Sequence, residues 1–306
     1  MKKLSYKLIL FLLPIMIFIG FIEYFYRIMP NNYSVKNSNI IRQHSKIETL
    51  LLGDSHCFYG LNPYYFKKKT FNLSNVSQTL YFDQLLFEKY YNDLPNLHYL
   101  VLCIEYTNLS QKDNTQEDIW RKYYYQNYMN LKVSLIHWYD FSQYLLCTTQ
   151  RPAQTFYLIN TYIKKGFVND CDSNGWATNY KKIDRIEPKF VAKARALQQE
   201  DGSIDFKLNS ERINYIINSC KSKRIKIIIV SMPQTHLYTS YLNKKKLNLI
   251  FKTCQNFQNQ NLNEVYYLNL FNDNRFKEED FYDSDHLNEF GAKKCSKIVD
   301  SFINEL

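Results

Sequence analysis

Four short runs in this chain are apolar almost without interruption: residues 48–52, 98–106 ("HYLVLCIEY"), 224–233 ("RIKIIIVSMP") and 264–270 ("EVYYLNL"). A strand with one wet face alternates apolar and polar residues, whereas a run that is apolar throughout has to be covered on both faces, as the strands of a parallel sheet are. Helical periodicity falls between these runs. Ser210 is placed to cap a helix in which Ile213, Ile216, Ile217 and Cys220 share one face, and residues 82–91 and 288–303 are further helix candidates. Strand and helix in alternation predict a doubly wound α/β domain with a mostly parallel sheet flanked by helices.

The N-terminus imposes a different constraint. Residues 8–22, "LILFLLPIMIFIGFI", carry no charge; Lys2, Lys3 and Lys7 precede them, and Glu23, Tyr24, Phe25 and Tyr26 follow. With the aromatic residues at both ends the run reaches the roughly 20 residues that cross a bilayer. No small-x-small cleavage site follows it, and no cysteine precedes Cys57, so the expectation is a single membrane helix rather than a signal peptide or a lipoprotein anchor. The lysines favour a cytoplasmic N-terminus with the rest of the chain outside, in the periplasm or at the cell surface. The expected organisation is an anchor over 1–27, a tether over 28–46 ("IMPNNYSVKNSNIIRQHSK"), and an α/β domain over 47–306.

Residues 107–206 break the alternation and read as an insertion on the sheet. They hold Trp120, Trp138 and Trp176 and stretches such as "WRKYYYQNY"; aromatic residues at this density are read first as packing, and second as a sugar-stacking surface. The net charge of +10 comes from scattered lysines and arginines, with no zinc-finger, RNA-recognition or basic-zipper pattern, so nucleic acid is not an expected partner and anionic lipid or glycan explains the charge as well. Seven cysteines without a C-x-x-C pair read as small buried residues. No residue spacing calls for a metal, and no glycine-rich loop calls for a cofactor.

The first apolar run ends at "GDSH", Gly53 to His56. A serine hydroxyl attacks only when a base takes its proton, and the base needs an orienting carboxylate. Near the other end, "FYDSDHLNEFGAKK" carries Asp283, Asp285 and His286 just before the last helix. Loops that follow strands of a doubly wound sheet converge at the strands' carboxyl ends, so the two segments can meet there. Either aspartate can serve an imidazole. His56 is too close along the chain to be an obvious base for Ser55, and His236 is read as a loop residue.

These two blocks resemble the SGNH, or GDSL-type, hydrolases, in which G-D-S closes the first strand and D-x-x-H precedes the last helix. The resemblance implies an SGNH-like fold with Ser55 as nucleophile, His286 as general base and Asp283 as its orienter. The family's two middle blocks supply oxyanion donors. Here they correspond to "FNLSNVSQTL", with serines in the glycine places, and to "EYTN", which makes Ser77, through its backbone N–H, and Asn108 the implied donors. A membrane helix on such a domain is similar to envelope proteins that work beside membrane-bound O-acyltransferases. The expectation is a cofactor-free esterase or O-acyltransferase acting on acyl, foremost acetyl, esters of cell-envelope glycans or on a small ester. A catalytically silent module that binds glycan or a membrane acyltransferase is the alternative.

Overall fold

The computed structural model describes residues 2–306. Along the chain lie α1 (Lys2–Ile28), α2 (Asn32–Gln43), β1 (Thr49–Leu52), α3 (Ser55–Gly60), β2 (Thr70–Asn72), α4 (Leu80–Tyr90), β3 (Tyr99–Cys103), α5 (Asp118–Met129), α6 (Pro152–Lys165), α7 (Pro188–Gln199), α8 (Lys207–Ser222), β4 (Lys226–Ser231), α9 (His236–Tyr241), α10 (Lys244–Gln260), β5 (Val265–Asn269) and α11 (Glu289–Glu305). They divide into two compact units, one formed by the chain up to residue 35 with 119–169, the other by 36–118 with 170–306.

In the second unit all five strands are parallel, in the order β2-β1-β3-β4-β5. One register row runs through Leu51, Val101 and Ile228. These residues pack with Cys57 and Leu61 on one side of the chain's first turn and with Leu287, Cys295, Val299 and Ile303 of the C-terminal segment. Their neighbours Leu50, Leu100 and Ile227 are buried too and point to the opposite face by the period-2 geometry of a strand; α8 packs against β4 and α4, and α10 against β5. Cover on both faces is why the strands read as unbroken apolar runs. The fold class is the expected one, and six of the seven cysteines are buried and all seven are free.

Four features differ from the expected organisation. β2 is only three residues long, too short for any periodicity to show. The segment expected to be a tether contains α2. The side chain of Asn31 accepts from the amides of Tyr33 and Ser34 at its start, and Lys36 is buried with its ammonium donating to the carbonyls of Asn72 and Ser74 and lying 4.1 Å from the Phe58 ring centroid. The stripe of Ile213, Ile216, Ile217 and Cys220 is buried as expected, but α8 begins at Lys207, so Ser210 lies within its first turn rather than at its cap. The residues between β3 and α8 are also divided: 119–169 belong to the first unit and the remainder to the second.

In the first unit, α1 is long and apolar enough to cross a membrane, and its side chains from residue 3 to 21 are all exposed. Only its last turns are covered. Glu23 accepts from the Cys147 amide at 2.9 Å, Arg27 donates to Asn127 Oδ1 and to the Tyr144 carbonyl, Tyr26 pairs with Thr155 at 2.9 Å, and Phe25 meets Tyr162 edge-on.

Gly53 shows how tightly the end of β1 is built. Its φ of +138° is accessible only to glycine, and a Cβ there would lie 2.9 Å from Cβ of Cys103 on β3. Gly53→Ala is therefore expected to cost about 1–3 kcal/mol from backbone strain alone, read as a lowered unfolding midpoint of the full chain in detergent; an unchanged midpoint would show that the turn can relax.

Candidate active site

The site forms where the strand order reverses, between β1 and β3, at the carboxyl ends of the strands. Gly53 ends β1, and Asp54 caps α3 by accepting from the His56 amide, which leaves Ser55 as the first helical residue. The other half comes from the loop before α11. Phe281 and Leu287 form an antiparallel bridge, Tyr282 donates to the carbonyl of His286 at 2.8 Å, and Asn288 caps α11 through the amides of Phe290 and Gly291. Inside this loop Asp283 Oδ1 accepts from the amides of Asp285 (3.0 Å) and His286 (2.8 Å), so the carboxylate is fixed by its own backbone.

From that loop His286 points Nδ1 at both oxygens of Asp283, 3.1 Å each, and Nε2 at Ser55 Oγ, 2.9 Å. Asp283 and His286 are buried and Ser55 is partly exposed. The two terminal blocks, 231 residues apart at the Ser55–His286 bond, thus meet in one hydrogen-bonded line. Of the two aspartates, Asp285 is the more distant from His286 Nδ1, at 3.8 Å. It accepts instead from Ser284 Oγ and Gln199 Nε2, and lies 3.6 Å from Arg195 Nε.

His56 has a place that sequence reasoning did not find. Its ring stacks on that of His286 with centroids 4.6 Å apart and planes 17° apart. Nδ1 is 2.9 Å from Asp54 Oδ1 and Nε2 is 3.5 Å from Asp285 Oδ2. Burial works against its charge, but the Asp54 carboxylate and the contacts with Asp54 and Asp285 raise its pKa well above the ordinary histidine value, toward the imidazolium. Burial also pushes both Asp54 and Asp285 toward the neutral acid; the charge and hydrogen bonds of His56, with Asn108 for Asp54 and with His286 and Arg195 for Asp285, bring each below the usual carboxylate range.

Two more buried acids were not singled out from the sequence. Asp83 accepts from the Gly53 amide and from Gln78, and burial raises it to about 7. Glu105, at the end of β3, accepts from the Met232 amide and from Gln234 Nε2, and burial raises it to about 8 against the pull of His56. The only sequence signal for either was an acid beside an apolar run.

Ser55 and His286 open on a cleft of ≈ 470 Å³. Tyr59 and Tyr180 stack with centroids 3.5 Å apart and both present their edges to His286; Gln111, Gln116 and Gln198 add carboxamides. Ser77 and Asn108 line the same cleft. Ser77 has φ +53° in a turn closed by the Gln78 amide on the Asn75 carbonyl, a conformation in which glycine is the usual residue. Asn108 spends one N–H on Asp54 Oδ2 at 3.2 Å and has a second to give. His236 is exposed at the start of α9, away from the cleft lining. His56, Asp285 and His286 are the group among the described residues whose donor atoms could gather round a metal ion. Asp54 engages His56 Nδ1, and Asp283 and Ser55 engage the His286 nitrogens, whereas His56 Nε2 is buried without a hydrogen-bond partner among the described residues, 3.5 Å from Asp285 Oδ2.

The chain matches no protein-family profile and no curated protein. Among solved structures it is similar to "a putative platelet activating factor from Streptococcus pneumonia", at 11% identity and a TM-score of 0.41, over 88% of this chain and 91% of that one.

Glu105 provides a test of the site's electrostatics. The folded state keeps its proton up to about pH 8, while an unfolded glutamate loses it near ~4.3. The raised carboxyl therefore stabilises the fold at low pH, and that contribution is lost as pH rises to about 8. Glu105→Gln removes the titration, so its melting midpoint relative to wild type is expected to climb between pH 5 and pH 8.5; a constant difference would show that the acid ionises normally.

Proposed function

We propose that this chain is an SGNH/GDSL-type serine ester enzyme, a hydrolase or O-acyltransferase that acts on acyl, foremost acetyl, esters of cell-envelope glycans. The observation that carries the reading is the continuous line from Ser55 Oγ through His286 to Asp283. Ser55 Oγ bonds to the acyl carbon as His286 Nε2 takes its proton, and Asp283 holds the ring that becomes charged. The N–H groups of Ser55, Ser77 and Asn108 receive the oxyanion. Collapse expels the alcohol, which leaves with the proton from His286. Water or a sugar hydroxyl then attacks the acyl-serine and gives its own proton to the same nitrogen, and collapse breaks the Ser55–acyl bond and returns that proton to Ser55 Oγ, which makes the two activities one mechanism with two acceptors.

Cleft chemistry supports a hydroxylated substrate. Carboxamides suit a sugar's hydroxyls, since each amide both donates and accepts, while Tyr180, stacked between Tyr59 and Tyr282, walls the cleft with a ring edge. No cofactor enters any of these steps. α1, uncovered along its apolar length, supports a membrane anchor, and the lysines before it support a catalytic unit outside the cytoplasm. A membrane-bound O-acyltransferase is the partner that would deliver acyl groups across the bilayer to such a unit.

A serine-directed fluorophosphonate is expected to label the full chain in detergent, and Ser55→Ala and His286→Ala to abolish labelling and lower turnover of a chromogenic acetyl ester about 10⁴-fold or more. Labelling that survives Ser55→Ala overturns the assignment. With an acetylated glycan and a free acceptor, acetate as sole product marks a hydrolase and acylated acceptor a transferase.

A further inference from the structure

Outside the cleft, the first unit carries an unusual surface. Between residues 119 and 169, Trp138, Tyr139, Phe141, Phe156, Tyr157 and Ile163 are exposed, Trp138 to 82%. The same segment has one acidic residue, Asp140, against six lysines and arginines, of which Lys132, Arg151, Lys164 and Lys165 are exposed. Large rings and cations together on a water-facing surface are unfavourable for an isolated soluble protein, and favourable where aromatic rings meet lipid headgroups.

The bonds within this unit fix its depth relative to α1. With residues 8–22 in the hydrocarbon core, the stretch from Glu23 to Ile28 rises about 7.5 Å, which is the thickness of roughly one headgroup layer. Residues 119–169 are attached at that level. Cys147 bonds to Glu23, Asn127 and the Tyr144 carbonyl bond to Arg27, Thr155 bonds to Tyr26, and Tyr162 packs on Phe25. Tyr144 in turn donates from its hydroxyl to the Trp138 carbonyl at 3.2 Å, and Phe156 and Tyr157 directly follow Thr155 in α6. The exposed rings therefore sit within a few residues of groups bonded to the membrane exit of the helix.

We propose that the segment 119–169 lies in the lipid–water interface of the bilayer that α1 crosses, with its exposed aromatic side chains among the headgroups and Arg151, Lys164 and Lys165 drawing anionic lipid. The inference rests on α1 as the anchor. It makes the attachment two-part, one spanning helix and one interfacial collar, and gives the basic surplus of the segment a ligand: the phosphate of an acidic phospholipid.

The test uses the full chain reconstituted in vesicles of phosphatidylcholine and phosphatidylglycerol whose acyl chains carry bromine near the headgroup. Tryptophan emission is expected to be quenched, and Trp138→Phe to lose most of that quenching, because Trp120 and Trp176 are less exposed. Phosphatidylcholine-only vesicles are expected to quench Trp138 less. If the chain resists carbonate extraction but Trp138→Phe quenches like wild type, or neither is quenched, the collar is overturned while the anchor stands. If carbonate releases the chain, the anchor reading falls and the collar with it.

Discussion

The stack of His56 on His286 is what the rest of the site is arranged around: the rings lie 4.6 Å apart, face to face, and the carboxylates round His56 favour its charged form. Two like charges at that separation repel by ~4 kcal/mol at an effective dielectric of 20, a cost that a bare imidazolium would impose on charge next to it. The surrounding carboxylates remove the obstacle. Asp54 holds His56 Nδ1 and Asp285 lies 3.5 Å from its Nε2, Asp283 holds His286, and Arg195 lies 3.6 Å from Asp285 and 3.9 Å from Asp283. Three carboxylates against His56 and Arg195 leave one excess negative charge, which a proton on His286 neutralises. Glu105 stays out of this balance because burial keeps it protonated to about pH 8.

The fold supplies those groups from separate segments by bringing strand ends together. Asp54 and His56 follow β1, Glu105 follows β3, Gln234 follows β4, and Asp283, Asp285 and His286 follow β5. Much of this was legible in the sequence. Four of the five strands announced themselves as apolar runs, because cover on both faces leaves no polar side to alternate with. That Ser55, His286 and Asp283 meet was legible because a nucleophile–base–carboxylate set would need all three and each terminal block contains its share.

What was not legible depended on pairing. Lys36 reads as a solvent residue, and only its two carbonyl acceptors and the Phe58 ring make it a core residue that turns an expected tether into a docked helix. His56 was set aside because neighbouring side chains diverge. They do diverge: Ser55 opens α3 toward the cleft, while His56 turns back onto the residue that caps the helix. Ser77 occupies a positive-φ position without the glycine that would have marked it.

The geometry also bears on which acceptor such a site would use. Under the proposed mechanism an acyl-serine would be chemically indifferent to water or a sugar hydroxyl, since His286 Nε2 would serve either, so the outcome would depend on what fills the space beside that nitrogen. The cleft here is open and lined with carboxamides that hydrate readily. An open polar cleft does not exclude water by its own shape; exclusion would have to come from an acceptor filling the cleft beside Ser55 and displacing it. Transfer on this framework therefore requires an acceptor large enough to cover the acyl-serine, with hydroxyls for Gln111, Gln116 and Gln198, whereas small alcohols leave room for water and drain the intermediate to free acid.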